Sequence, residues 1–96
     1  MKSRWYKLDG DVLVSIKAEE VEWSNRWQLR DAVGDAVVST VFIALDHAFG
    51  NGPPVLFETL IFGGPLSDEG ERYCTKAEAE AGHAKWIQRV KEAGDE

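Results

Sequence analysis

The sequence predicts an α+β fold, an antiparallel β-meander of about five or six strands packed by one C-terminal α-helix, in a single domain spanning residues 1–96. Short runs of β-branched and aromatic residues separated by turn residues predict the strands. A helical period that starts after Thr75 predicts the helix. With 96 residues, 44% hydrophobic and 29% charged, the chain has room for one hydrophobic core.

The chain is expected to open with a β-hairpin. The dipeptide Asp9-Gly10 precedes the alternating run 12–16, which is typical of a two-residue turn with positive φ at both turn positions. The next aromatic segment, 23–29, has two interpretations. It either turns at positions 24–25 or continues as a strand.

Two apolar strands, 36–45 and 55–62, flank the turn-rich loop 47–54. Both faces of each strand are largely apolar, which is typical of central strands covered on both sides. One helix covers one face of a meander, so the other face needs a second cover. We expect a homo-oligomer, with closure into a small barrel or a bound ligand as alternatives.

A short strand at 71–74 is expected to lead into the helix. Thr75 and Glu78 have the spacing of a capping box, and Gly94 is placed at the other end. At 100° per residue one helix face is predicted to pack on the sheet. This face consists of Ala79, His83, Trp86, Ile87, Val90 and Ala93.

Charge and cysteine content narrow the class of partner. Eleven basic and 17 acidic residues give a net charge of −6, which disfavours duplex nucleic acid and is compatible with a protein partner that has a basic surface. The single cysteine, Cys74, forms no internal disulfide. With neither a signal peptide nor an apolar span evident, we expect a cytoplasmic protein without membrane contact.

Glu58 is the most informative candidate for a ligand site. A carboxylate between Leu56 and Leu60 costs on the order of a few kcal/mol if it is buried without a partner, and His83 or Arg72 is the natural partner. The structural interpretation makes Glu58 an ion-pair member and His83 a hydrogen-bonded core residue. The candidate ligand-binding residues are Asp46, His47, Asn51, Glu58, Arg72, Tyr73 and His83.

No catalytic residue, metal ligand or cofactor is assigned, because H-E-x-x-H, C-x-x-C and phosphate-loop motifs are missing from the sequence. Trp23, Arg26 and Trp27 form an aromatic and basic cluster. Such a cluster serves as core, as a protein interface, or as planes that hold a nucleobase or a signalling nucleotide.

Three segments, 39–47, 52–64 and 72–83, carry a pattern of S-T-V-F, D-H, G-P-P-x-x-F-E-T and a helical G-H. This pattern resembles a group of short proteins encoded by tailed bacteriophages and prophages, without an assigned activity. The resemblance covers roughly half of the chain and does not extend to residues 1–31. It implies a viral protein in the host cytoplasm and transfers no catalytic residue.

Three functions compete at this point. The first is a phage accessory protein without enzymatic activity that binds and neutralises a host component, either a defence protein or a small nucleotide signal. The second is a small metal-assisted hydrolase that uses Asp46, His47, Glu58 and His83. The third is a virion or assembly component.

Overall fold

A computed structural model describes residues 3–23, 26–47 and 52–94. The predicted α+β class is confirmed, with six antiparallel strands and one α-helix in these ranges. The strands form two sheets, a hairpin and a four-stranded meander. The elements are β1 (Trp5–Asp9), β2 (Val12–Ile16), a 3-10 turn (Ala18–Glu20), β3 (Gln28–Val33), β4 (Ala36–Phe42), β5 (Phe57–Phe62), β6 (Gly70–Tyr73) and α1 (Lys76–Gly94).

The opening hairpin is confirmed, but its turn lies one residue later than expected. Asp9 faces Val12 across the pair, so Gly10 and Asp11 are the two turn residues. Gly10 has a φ of 61°, and Asp11 does not have a positive φ. The prediction of positive φ at both turn positions is therefore wrong, because only the first position needs the conformation that glycine adopts easily.

The remaining strands form a meander in the order β3-β4-β5-β6. Val33 faces Ala36 across a two-residue turn in which Gly34 has a φ of 59°. The ambiguous aromatic segment becomes a strand from Gln28 onward. The alternative turn at Ser24-Asn25 lies outside the described residues.

β4 ends three residues earlier than expected, at Phe42 rather than Leu45. Ala44 has a φ of 63° and lies at the centre of a three-residue turn, which Leu45 N–H closes on Ile43 O at 2.6 Å. Strand geometry cannot pass through this conformation. The turn redirects the chain toward the hairpin, where Leu45 forms an isolated bridge with Trp5.

The two faces of the meander differ in burial. On the face under α1 the central side chains are fully buried, among them Val38, Thr40, Thr59 and Ile61. The opposite, outer face alternates with them and is only half-buried, and 49% of Phe62 on this face is exposed. In the described residues α1 covers one face of the meander, and the outer face stays half-exposed in the single chain.

α1 begins as predicted and packs with four residues of its predicted face, whereas Ile87 and Ala93 of that face are half-buried and Gly82 joins the contact. Thr75 Oγ1 accepts the Glu78 N–H at 3.1 Å, and Glu78 Oε1 accepts the Thr75 N–H at 3.1 Å, which completes the capping box. The helix buries five residues against the sheet, namely Ala79, Gly82, His83, Trp86 and Val90. In the described ranges no helix combines the length and apolar character that crossing a bilayer requires.

Candidate functional site

A chain of buried hydrogen bonds connects β6, the centre of the sheet, α1 and β3. The Tyr73 hydroxyl lies 3.0 Å from Thr59 Oγ1, which lies 2.6 Å from Thr40 Oγ1. Thr40 Oγ1 is 2.7 Å from His83 Nδ1, and His83 Nε2 is 2.7 Å from Asp31 Oδ2. The imidazole is 5% exposed, whereas 55% of the Asp31 side chain faces solvent.

One arrangement of protons satisfies every hydrogen bond in this series. An imidazole with its proton on Nε2 donates to Asp31 and leaves Nδ1 to accept from the Thr40 hydroxyl. Thr59 then donates to Thr40, and Tyr73 donates to Thr59. Within the described residues no buried side-chain nitrogen or oxygen lacks a partner. His83 is therefore a hydrogen-bonded core histidine, and Thr40, at 0% exposure, is closed to a substrate.

Glu58 lies on the outer face of the sheet, away from α1. It faces Arg72 across β5 and β6, and Arg72 Nε donates to Glu58 Oε2 at 2.9 Å. The prediction of Arg72 as its partner is confirmed, whereas His83, the other expected partner, lies beneath the opposite face. Both side chains reach solvent, so the pair contributes little to stability.

Asp46 forms hydrogen bonds with segments on both sides of the loop that follows β4. Its Oδ1 accepts the Val55 N–H at 2.9 Å, and its backbone oxygen accepts from Arg4 Nη2 at 2.6 Å. The His47 N–H donates to Val55 O at 3.1 Å. Asn51, another candidate ligand-binding residue, lies outside the described residues.

The four residues of the hydrolase hypothesis do not share one site. Glu58 is on the outer face, His83 is beneath α1, and Asp46 and His47 begin the loop after β4. No group of three or more His, Cys, Asp or Glu side chains in the described part of the chain can hold a metal ion. Burial raises the pKa of the Cys74 thiol, which disfavours the nucleophilic thiolate.

Tyr73 contacts the helix at a position that the sequence analysis missed. A Cβ added to Gly82 would lie 2.2 Å from the Tyr73 hydroxyl and 2.3 Å from Cζ, so the ring occupies the space above the Gly82 backbone. Burial also raises the pKa of the Tyr73 hydroxyl. The sequence signal for this contact was a glycine within an otherwise apolar helical stripe.

A cleft of about 500 Å³ opens where the hairpin meets the end of the meander and the start of α1. The hairpin is attached to this end by the Tyr6 N–H, which donates to Ala44 O at 2.8 Å. Apolar contacts from Leu8 and Leu13 join it to the core around Phe42. The cleft is therefore built by segments that are far apart in the sequence.

Aromatic and cationic side chains surround this cleft. Its apolar wall is formed by Tyr6, Leu8, Val21, Trp27, Phe42 and Ala44. Among the described residues that line it, three are cationic and one, Glu22, carries a carboxylate. The cations are Lys7, Arg26 and Lys76.

Two of the three residues in the predicted aromatic and basic cluster line this cleft. Trp27 packs edge-on against Phe57 at 5.7 Å between ring centroids and lines the cleft with Arg26. Trp23 does not line it. Its ring is 59% exposed and lies 5.3 Å from the Arg26 guanidinium carbon, beside a smaller hollow of about 130 Å³ that Trp27 also lines.

Comparisons of the chain with protein-family models, with curated proteins and with solved structures find no match. The fold and the cleft are therefore the observations on which a functional proposal depends.

Proposed function

We propose that this chain is a binding protein for a small anionic molecule that carries an aromatic ring, of the nucleotide class. The observation that carries this proposal is the combination of Trp27 and Tyr6 with Lys7, Arg26 and Lys76 around one cleft. Its volume, about 500 Å³, falls within the range of small-molecule sites. Aromatic stacking contributes about 1–3 kcal/mol per base, and cations bind phosphate oxygens through charge-assisted hydrogen bonds.

The local charge of the cleft supports an anionic ligand. The whole chain carries a net charge of −6, yet the described lining of the cleft contains three cations and one carboxylate, and the local charge stays positive when the Asp11 carboxylate bonded to Lys76 is counted. Within a cleft, nearby charges act over distances shorter than the Debye length of about 8 Å at physiological salt, so they outweigh the distant negative surface. This contrast favours a small anion over an extended acidic polymer.

Binding is favoured over hydrolysis by the placement of the candidate acid-base residues. His83 is occupied by Thr40 and Asp31 inside the core, and Glu58 is paired with Arg72 on the other face. None of these five residues lines the cleft in which an aromatic ligand would fit. In the proposed function the protein therefore binds its ligand without a chemical reaction.

The resemblance to phage-encoded proteins supports a setting in the cytoplasm of an infected bacterium. There, a protein that binds a signalling nucleotide of the host lowers the free concentration of that nucleotide and so neutralises the signal. Capture of a host defence protein through the exposed Trp23 is the alternative within the same hypothesis. A virion component, in contrast, predicts that the protein is found in purified particles by mass spectrometry.

The first test is nucleotide binding by the purified full chain. Isothermal titration with nucleoside mono- and diphosphates and with cyclic mono- and dinucleotides should give saturable binding, with quenching of the Trp27 fluorescence. Arg26→Gln should weaken the affinity by about ten- to a hundredfold, because a charge-assisted contact contributes about 1.5–3 kcal/mol.

Arg30→Gln is the matched control for this test. Arg30 is an exposed arginine on β3 that does not line the cleft, so its loss changes the net charge equally and should leave the affinity within about twofold. Equal affinities of the two variants, or no binding of any nucleotide at millimolar concentration, would contradict the proposal.

Self-association through the outer sheet face is a second proposal, favoured by the half-exposed Phe62. Phe62→Glu should shift the protein toward monomer in size-exclusion chromatography with light scattering, because a carboxylate would be buried in the interface. Val12→Glu is the control, since Val12 is an exposed residue of the hairpin. A wild-type chain that stays monomeric at high concentration would refute self-association.

A further inference from the structure

Lys76 is shared between the cleft and the hairpin turn. Its Nζ donates to Asp11 Oδ1 at 2.7 Å and lies 5.8 Å from the centroid of the Trp27 ring. The Lys76 side chain is 22% exposed, whereas that of Asp11 is 83% exposed. The hydrogen bond to Asp11 also raises the pKa of Lys76, so the lysine is held as a cation.

The ion pair joins two elements that line the cleft, the hairpin turn through Gly10 and the start of α1 through Lys76. Asp11 belongs to the turn between β1 and β2, and Lys76 is the first residue of α1. The backbone N–H of Glu78 already donates to Thr75 within the capping box. An anion that enters the cleft therefore meets the Lys76 side chain more readily than free helix N–H groups.

We propose that Asp11 is an internal competitor for the ligand's phosphate and thereby sets how strongly the cleft prefers phosphorylated ligands. This inference rests on the proposed function. In the free protein the Asp11 carboxylate accepts the hydrogen bond from the Lys76 ammonium group. A phosphate must displace it, whereas an uncharged nucleoside carries no anionic group that competes with Asp11 for Lys76.

The exchange is physically easy, because the competing carboxylate is largely exposed to water and its loss from Lys76 leaves it solvated. A phosphate offers more charge and more acceptor oxygens than a carboxylate, so it can replace Asp11. Asp11 then remains near the bound anion and repels it. Both effects lower the affinity for phosphate and leave the affinity for a nucleoside unchanged.

The test compares Asp11→Asn with Asp9→Asn, which removes the same charge from the same hairpin without touching Lys76. Titrations use AMP and GMP, each beside its nucleoside, at low salt. Asp11→Asn should bind the monophosphates about three- to tenfold more tightly than wild type, and Asp9→Asn less than about twofold more tightly. Affinities for adenosine and guanosine should not change.

The possible outcomes separate the two proposals. If the wild-type chain binds a monophosphate and the two variants bind it equally, the role of Asp11 is refuted while nucleotide binding stands. If only Asp11→Asn binds, the competition is supported. If no variant binds any of the four probes, the role of Asp11 is refuted, and nucleotide binding itself is decided by the titrations with diphosphates and cyclic nucleotides. Lys76→Met provides a further check, because it should reduce the preference for AMP over adenosine and remove the difference between Asp11→Asn and Asp9→Asn.

Discussion

Replacing Gly82 with alanine is expected to lower the free energy of unfolding by about 2 kcal/mol or more. The added methyl carbon would lie 2.2 Å from the Tyr73 hydroxyl oxygen and 2.3–2.4 Å from two carbons of its ring, far inside van der Waals contact. Tyr73 cannot simply rotate away, because it is buried and its hydroxyl is bonded to Thr59. This cost exceeds the gain of about 1 kcal/mol that alanine brings to a helix interior.

Chemical denaturation followed by circular dichroism measures this effect, and Gly94→Ala is its control in the same helix. No atom lies within 4 Å of the Cβ position at Gly94, so that variant should be neutral or slightly stabilised. Pairing Gly82→Ala with Tyr73→Leu should recover part of the loss, because the clashing ring is removed. A Gly82→Ala variant as stable as wild type would show that Tyr73 does not pack on the helix backbone.

Replacing His83 with leucine is expected to cost about 2–3 kcal/mol of unfolding free energy despite the apolar surroundings. Leucine removes the acceptor for the Thr40 hydroxyl, which is 0% exposed and has no access to water. It also removes the donor that faces Asp31. The loss arises from buried polar groups without partners rather than from lost volume.

Gln88→Leu is the control for this substitution, since Gln88 lies on the exposed side of the same helix and should change stability little. The ¹⁵N chemical shifts of His83 provide a second measurement, in which a protonated Nε2 and a bare Nδ1 are expected. A His83→Leu protein that is as stable as wild type, or more stable, would refute the importance of this buried chain.

Local signals predicted much of the fold. The capping box at Thr75 and Glu78 predicted where α1 begins, because both of its hydrogen bonds form between neighbours in the sequence. The predicted end of β4 was wrong. The positive φ of Ala44 depends on the pairing of this segment with the hairpin, which is distant in the sequence. Gly82 was missed for the same reason, since its partner lies on another element.

The candidate site was predictable only in part. Arg26 and Trp27 were singled out as a place for a nucleobase, and both line the cleft. Tyr6 and Lys76 were not, because residues on the first strand and on the helix meet there only after folding. Glu58, expected to mark a pocket, is paired on the outer face, because α1 covers the side of the sheet that carries Thr59.

The facing hydroxyls of Thr40 and Thr59 have a consequence for folding specificity. A slip of one residue between β4 and β5 would separate them, and it would turn alternate side chains such as Leu60 to the other face. The buried hydroxyl of Thr40 would then lose its partner on β5 and face aliphatic side chains. Three polar side chains in an otherwise apolar core thus make competing strand alignments unfavourable, and the native alignment is the one in which all of them are satisfied.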